Sequence, residues 1–240
     1  MILNRRTVLH ALAMPLLVAA PAAEAATTDL VLACDTALAP VLSAAAERYF
    51  ETARLRVRVF PTGPGLLIPQ IARAVQNDLL FTQTHIMNAA ATAKLLAGAP
   101  RGTWRNPLVL AAARGAGAPA LRGRIAVSDP TPGSDMDGPA IITAMNLGER
   151  AILGVIDTEE VAFLIARGEA EAGLLHVSDV RRRPDLEVIR TVPAAVAPPP
   201  TYAVAPTVLA RRPNPAGFID FLISPEGRAA LAAQGLETDA

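Results

Sequence analysis

The sequence predicts an α/β protein of two lobes, each a mostly parallel sheet flanked by helices, with a cleft between the lobes. Strand-like and helix-like segments alternate along the chain, which is typical of sheets covered by helices on both faces. Apolar residues make up 52% of the 240 residues, enough for a sizeable core. Two irregular links, "RGTWRNP" and "AAVAPPPTY", interrupt the alternation. They suggest that the chain builds lobe 1 from residues 26–107 and 201–240, and lobe 2 from residues 108–200.

Lobe 1 is expected to begin with three strand–helix pairs. The alternation in "LRVRVF" is that of a half-buried strand, whereas "DLVLAC" and "DLLFT" are short apolar runs typical of buried strands. In "LAPVLSAAAERYF", Val41, Leu42, Ala45 and Tyr49 fall on one helical face. The segments "LLIPQIARAV" and "IMNAAATAKLLA" predict the next two helices.

The remaining elements continue this alternation. Strands are predicted in "NPLVLAAARG", "GRIAVSDP", "AEAGLLHVSD" and "LEVIRTV", and helices in "GPAIITAMNLG" and "TEEVAFLIARG", the latter with Thr158 as N-cap. A last strand is predicted in "TYAVAPTVLA", where Pro206 indicates a sheet edge or a bulge because proline cannot donate to a strand ladder. Two helices close the chain. The second is expected to have Ser224 as N-cap, Pro225 at its first position and Gly235 at its end.

The first 25 residues are predicted to be a signal peptide. Arg5 and Arg6 form a basic region, an apolar stretch follows, and Ala23 and Ala25 form a small-residue cleavage motif. The segment "NRRTVLH" fits a twin-arginine signal as well as a general secretory one, so both routes remain open. Either route predicts export to the periplasm with cleavage near Ala25.

Composition and motifs exclude several classes of protein. The 22 basic and 22 acidic residues balance, which is not the charge pattern of a nucleic-acid binder. The chain contains no nucleophile elbow, no zinc-protease motif and no phosphate-binding P-loop, so we expect neither an enzyme nor a cofactor. The single cysteine, Cys34, excludes an intrachain disulfide and is expected to pack as a thiol in the first strand.

Polar residues and glycines lie at the turns that join strands to helices. In open α/β sheets ligands bind beyond the carboxyl ends of the strands. The candidates are Asp35 and Thr36, Thr62 to Gly65, Thr82 to Thr84, Asp129 to Gly138, Thr158, and His176 to Asp179. Each could equally be an ordinary helix cap or turn former.

Several segments together resemble a known family. They are "VLACDTALAPVLSAAAERYF", "VFPTGPGLLIPQI", "NDLLFTQT", "RIAVSDP", "ARGEAEAGLLHVSDV" and "FIDFLISPEGRAALAAQGLE". This pattern resembles the molybdate-binding proteins of ABC importers, which are type II periplasmic binding proteins. The resemblance implies two α/β lobes that are joined by two crossing strands and close over an oxyanion.

The resemblance also implies a set of ligand-binding residues, with departures from the family at the site itself. Thr36 occupies the position of a family serine, and Asp35 places a carboxylate beside it. The second loop, serine-rich in the family, retains Thr62 and the N–H groups of Gly63 and Gly65. The remaining positions are Gly138, which follows Asp137, then Thr158, and His176 in place of a tyrosine.

Three functions remain open at this point. The first is a monomeric periplasmic binding protein that delivers an oxyanion such as molybdate or tungstate to a membrane permease by cleft closure. The second binds a divalent metal or an amine-bearing solute through Asp35, Asp137 and His176, whose carboxylates and imidazole suit such ligands. The third is a periplasmic interaction or sensor domain that does not take part in transport.

Overall fold

A computed structural model describes residues 29–116, 121–128, 137–147, 152–155, 157–211 and 215–238. The predicted signal peptide, residues 1–25, lies outside this part of the chain. Within it, no helix is long and apolar enough to cross a membrane.

The predicted helices and strands are present, together with three strands, Arg101–Arg105, Ile152–Val155 and Glu237–Thr238, and one short helix, Val177–Arg181, that the sequence did not predict. The first half contains β1 (Leu30–Asp35), a 3-10 turn (Thr36–Leu38), α1 (Ala39–Ala53), β2 (Val57–Thr62), α2 (Pro64–Ala72), β3 (Leu79–Gln83), α3 (Thr84–Thr92), β4 (Arg101–Arg105) and β5 (Leu108–Ala113). The second half contains β6 (Ile125–Ser128), α4 (Gly138–Ala144), β7 (Ile152–Val155), α5 (Thr158–Ala166), β8 (Ala172–His176), α6 (Val177–Arg181), β9 (Leu186–Thr191), β10 (Thr201–Pro206), α7 (Pro215–Ile223), α8 (Pro225–Ala233) and β11 (Glu237–Thr238).

The strands form two sheets. One has the order β11-β4-β10-β3-β1-β2 and the other the order β7-β6-β8-β5-β9. In the first sheet β1 is parallel to β2 and β3, whereas β10 is antiparallel to β3 and β4. In the second, β6 is parallel to β7 and β8, and β5 is antiparallel to β8 and β9. The two-lobed α/β class is confirmed, but the sheets are mixed rather than mostly parallel.

Each sheet is covered by helices on both faces, as its alternating side chains require. In the first sheet, Leu32 and Phe81 pack on the side of α1, α7 and α8, whereas Ala33 and Leu80 pack on the side of α2 and α3. The second sheet packs one face against α4 and the other against α5 and α6. The alternation explains why consecutive residues of one strand belong to different cores.

Two predicted features near the strands of lobe 1 need correction. Most of "RGTWRNP" is not irregular but forms β4, whose Trp104 is buried with its ring 5.0 Å from that of Phe81. The sequence pattern did not indicate a strand here, because Trp104 is the single apolar residue of the β4 segment RGTWR and no alternation is visible. Pro206 does not mark an edge, because β10 lies inside the sheet and ends at this residue. The pairing of β10 with β4 is irregular between Tyr202 and Val204, but Pro206 itself pairs regularly with Leu79 of β3 and is not at that irregularity.

The helix caps give one confirmation and one correction. The Ser224 side chain accepts a hydrogen bond from the Gly227 N–H at 3.1 Å, and Pro225 begins α8, as predicted. In α5 the N-cap is Asp157 rather than Thr158, because the Asp157 carboxylate accepts from the Glu160 N–H at 2.9 Å. Thr158 is therefore the first helical residue.

Two crossovers connect the sheets, between β4 and β5 and between β9 and β10. They touch each other at Asn106, whose N–H donates to the Pro200 carbonyl at 3.2 Å. The Asn106 side chain is fully buried and donates to the Ser178 hydroxyl at 2.9 Å. It also accepts from the Ser178 N–H at 3.3 Å. Asn106 thus joins both crossovers to the start of α6.

Candidate functional site

Three strands of the first sheet end at the same edge, and a helix or turn begins directly after each. Because β1 is parallel to both β2 and β3, their carboxyl ends lie side by side, with Asp35 paired with Thr62 in register. Thr36 is exposed at the start of the 3-10 turn. Gly63 is the N-cap of α2, and Gly65 is exposed in its first turn. The structure therefore brings the lobe 1 candidates together at one sheet edge.

Asp35 is buried at this edge, with 4% of its surface exposed. Its Oδ1 accepts a hydrogen bond from the Thr82 hydroxyl at 3.2 Å, whereas its Oδ2 has no hydrogen-bond partner in the described part of the chain. Burial raises the pKa of the Asp35 carboxyl to about 7, and the Thr82 hydrogen bond opposes this only in part. Burial, followed by the nearby Asp35 charge, also raises the pKa of the Cys34 thiol, so this thiol stays protonated and unreactive.

The Thr62 hydroxyl already has a partner. Thr62 is buried, and its Oγ1 accepts from the Gln70 side-chain amide at 2.8 Å. A hydroxyl that accepts one hydrogen bond can still donate one to a ligand. The Gln70 Oε1 is buried without a hydrogen-bond partner among the residues described.

In lobe 2, carboxylates already occupy two helix N-termini. Asp137 caps α4 by accepting from the Ala140 N–H at 3.0 Å, and Asp157 caps α5 as described above. Gly138, the first residue of α4, is buried, and a Cβ there would lie 2.8 Å from the Val127 Cβ. This position therefore requires glycine for packing, whatever its part in binding. Thr158, half-buried, follows the Asp157 cap.

His176 lies where β8 passes into α6. Its backbone N–H donates to the Asp179 carboxylate at 3.1 Å, and its Nδ1 lies 3.1 Å from the Asn106 carbonyl oxygen. Because a carbonyl oxygen only accepts hydrogen bonds, this contact fits a ring protonated at Nδ1. The half-buried imidazole is thus oriented by the first crossover.

A cavity of about 720 Å³ lies between the lobes. Its walls come from the start of α3, from α4, from the ends of β5 and β8, and from the second crossover. The lining residues are Gln83, Thr84, His85, Asn88, Leu108, Asp137, Ala140, Ile141, Ala144, His176, Val196, Ala197, Pro198, Pro199, Pro200 and Thr201.

The cavity contains some of the predicted residues but not all of them. Asp137 and His176 line it, whereas Thr36, Thr62, Gly63, Gly65, Gly138 and Thr158 do not belong to its lining. His85 and Asn88 of α3 also line the cavity, but they were not among the ligand-binding residues predicted from the sequence. The signal that could have found them is the turn at Thr82 to Thr84, which ends a buried strand at the same sheet edge.

The three residues considered for a metal do not form a cluster. Asp137 and His176 line the cavity, but the Asp35 carboxylate is buried against Thr82 outside its lining. No group of three or more histidine, cysteine, aspartate or glutamate side chains that could hold a metal ion occurs in the part of the chain that is described.

The family model of bacterial extracellular solute-binding proteins matches residues 30–237. The chain belongs to this family. No curated protein sequence matches it.

Solved structures of solute-binding proteins share its fold. The substrate binding domain assigned to a molybdenum ABC transporter of Clostridium difficile is 20% identical, with a TM-score of 0.72 over 88% of this chain and 99% of that one. The periplasmic molybdate-binding protein of Azotobacter vinelandii is 18% identical, with a TM-score of 0.69 over 88% and 100%. Iron-bound HitA of Pseudomonas aeruginosa is 17% identical, with a TM-score of 0.61 over 86% and 84%. The chain thus has the two-lobed fold of type II periplasmic binding proteins.

Proposed function

We propose that the protein is a periplasmic, non-enzymatic solute-binding protein that delivers a small ligand to the membrane permease of an ABC importer. Its family supports this role, since the members are extracellular solute-binding proteins. The observation that carries the proposal is the cavity of about 720 Å³, which has lining residues from both lobes and from a crossover. A ligand that contacts both lobes favours their closed arrangement, and a permease can recognise that arrangement.

An anionic ligand, with molybdate and tungstate as the simplest examples, is the chemistry that lobe 1 supports best. Gln83, the N-cap of α3, makes no side-chain hydrogen bond to its helix, and Gly63, the N-cap of α2, has no side chain that could do so. In α2 the first residue, Pro64, has no N–H, and the Leu66 N–H donates to the Gly63 carbonyl, so α2 offers fewer donors than α3. Free N–H groups at a helix start attract anions through hydrogen bonds and through the helix dipole. Both helices begin at the sheet edge that carries Thr36, and Gln83 also lines the cavity.

A second candidate, an amine-bearing organic solute, is favoured by lobe 2. Asp137 lines the cavity, and no lysine or arginine does so in the part of the chain that is described. The α4 and α5 N-termini are already capped by Asp137 and Asp157, so they have less to offer an anion. The walls formed by Ile141, Val196 and the prolines suit a ligand with an apolar portion.

A thermal-shift panel separates the two candidates. Stabilisation by molybdate or tungstate, with weaker binding by the Thr36→Ala and Thr62→Ala variants, supports the anion. Thr92→Ala is a matched control, because Thr92 is exposed at the far end of α3 and its hydroxyl donates to the Asn88 carbonyl of its own helix. Stabilisation by amines alone, lost in Asp137→Asn, supports the second candidate. A saturating ligand stabilises by RT ln(1 + [L]/Kd), so a tight ligand gives a plain shift.

Native mass spectrometry supplies an independent readout. Protein purified from periplasmic extract is expected to carry a bound small solute that denaturation releases. The proposed function is refuted if no solute is found and no member of the panel shifts the melting temperature. Binding with unchanged affinity in both threonine variants would instead show that the anion does not bind at the lobe 1 edge.

A further inference from the structure

Asp35 differs from the other buried aspartates in its environment. Asp78 accepts from the Val31 N–H at 2.8 Å and from the Arg211 N–H at 3.1 Å. Asp179 forms an ion pair with Arg182 at 2.9 Å. Asp35 has neither a cation nor a backbone N–H on its carboxylate among the described residues, although only 4% of it is exposed. A buried carboxylate without such partners is disfavoured in its ionised form.

Among the residues that the structure describes, the groups bonded to or paired with Asp35 and its neighbours bring no compensating charge. Thr62 of β2, Thr82 of β3 and Gln70 of α2 are neutral. The titratable neighbour within its own strand is Cys34, which stays protonated. Since strand alternation places Asp35 on the same face as Ala33, the carboxyl points towards α2 and α3, whose N-termini are uncapped.

Asp35 also lies directly behind the edge where a solute is expected to bind. Thr36 follows it in the chain, and Thr82, its hydrogen-bond donor, is followed by the cavity residues Gln83 and Thr84. A charge at this depth acts on a bound anion through protein rather than through bulk water, so its effect is only weakly screened.

We propose that Asp35 determines the charge selectivity of the cleft: an anionic solute binds when this carboxyl is neutral, and its ionisation disfavours the anion. This inference rests on the anionic form of the proposed function. Binding of an anion is then accompanied by proton uptake onto Asp35, about half a proton on average at about pH 7 and close to one at about pH 8.5, with no other covalent change. A cationic solute shows the opposite preference.

The expected pH dependence of anion affinity follows from the linkage between binding and protonation of Asp35. With the pKa of Asp35 at about 7, the dissociation constant for an anion rises about tenfold per pH unit above that value. Between about pH 6 and about pH 8.5 this amounts to about a 30-fold loss of affinity for the wild type.

The test uses the full mature protein and molybdate as the probe, by calorimetry at about pH 6 and about pH 8.5. Asp35→Asn is expected to bind molybdate with nearly equal affinity at both pH values, whereas the wild type and Glu47→Gln lose about 30-fold at the higher pH. Glu47 is the charge-matched control, because it is exposed on α1. Thr82→Val removes the hydrogen bond that lowers the pKa of Asp35, so its affinity loss should begin at a higher pH than in the wild type.

The outcomes separate this proposal from the proposed function. Equal pH dependence in the wild type and Asp35→Asn overturns the selectivity role. So does the absence of molybdate binding by Asp35→Asn at both pH values, because removal of the charge should then permit binding. In either case the solute-binding role stands if natively purified protein carries a solute, and it fails only if that test is also negative.

Discussion

Replacing Asp35 by asparagine should stabilise the protein, and increasingly so as the pH rises. The folded state raises the pKa of Asp35 from 3.8 to about 7 because the carboxyl is buried. A raised folded pKa means that the stability contributed by this group is complete below the unfolded pKa. That stability is lost as the pH rises through the folded pKa. Above pH 7 the ionised carboxylate therefore costs about 4 kcal/mol at 1.36 kcal/mol per pKa unit.

Urea unfolding of the wild type and Asp35→Asn from about pH 5 to about pH 8 measures this cost. The difference in unfolding free energy should widen by about 2.5 kcal/mol across that range, with the variant the more stable at the upper end. Glu47→Gln, which removes an exposed charge, should follow the wild type within about 0.5 kcal/mol. Parallel pH profiles for the wild type and Asp35→Asn would refute the reasoning, since they would show that Asp35 titrates alike in both states.

Three further variants test other parts of the structure. Gly235→Ala should destabilise the protein more than Gly168→Ala. Both glycines have positive φ, which costs alanine about 1–2 kcal/mol. At Gly235 a Cβ would in addition lie 2.9 Å from the Ser178 backbone nitrogen, whereas at Gly168 it would meet nothing within 4 Å. Asn106→Ala should cost about 3 kcal/mol and lower the Tm, because it leaves two buried Ser178 groups unpaired. Asp157→Ala should lower the urea midpoint by the equivalent of about 1 kcal/mol through loss of the α5 cap, with an unchanged m-value. The glycine prediction is contradicted if the Gly235→Ala and Gly168→Ala variants are equally stable. The other two are contradicted if the Tm of Asn106→Ala, or the urea midpoint of Asp157→Ala, equals that of the wild type.

Local features of the fold could be predicted from the sequence because their causes are local. The helical face of Val41, Leu42, Ala45 and Tyr49 is buried as expected. Strand order could not be predicted, since it depends on where β10 returns after lobe 2 is complete. This return inserts an antiparallel strand between β3 and β4, which makes the first sheet mixed.

The candidate site was predictable only in part. The turns after β1, β2 and β3 were identifiable from glycines and hydroxyl residues at strand ends. The contribution of α3 and of the proline-rich crossover to the cavity depends on how the lobes face each other, which no local pattern reports. The burial of Asp35 was accessible in principle, because strand alternation places it on the face of Ala33.

The contacts of Asn106 have a mechanical consequence for lobe closure. The two crossovers meet at this residue, and the His176 ring is held against its carbonyl oxygen at 3.1 Å. If the lobes rotate about the crossovers, atoms beside the rotation axis sweep short arcs and atoms far from it sweep long ones. His176 would then remain almost stationary while α4 travels towards α3. The imidazole would then contact a solute from a nearly constant position. How far α4 moves towards α3 would limit the size of the solute that the closed protein retains.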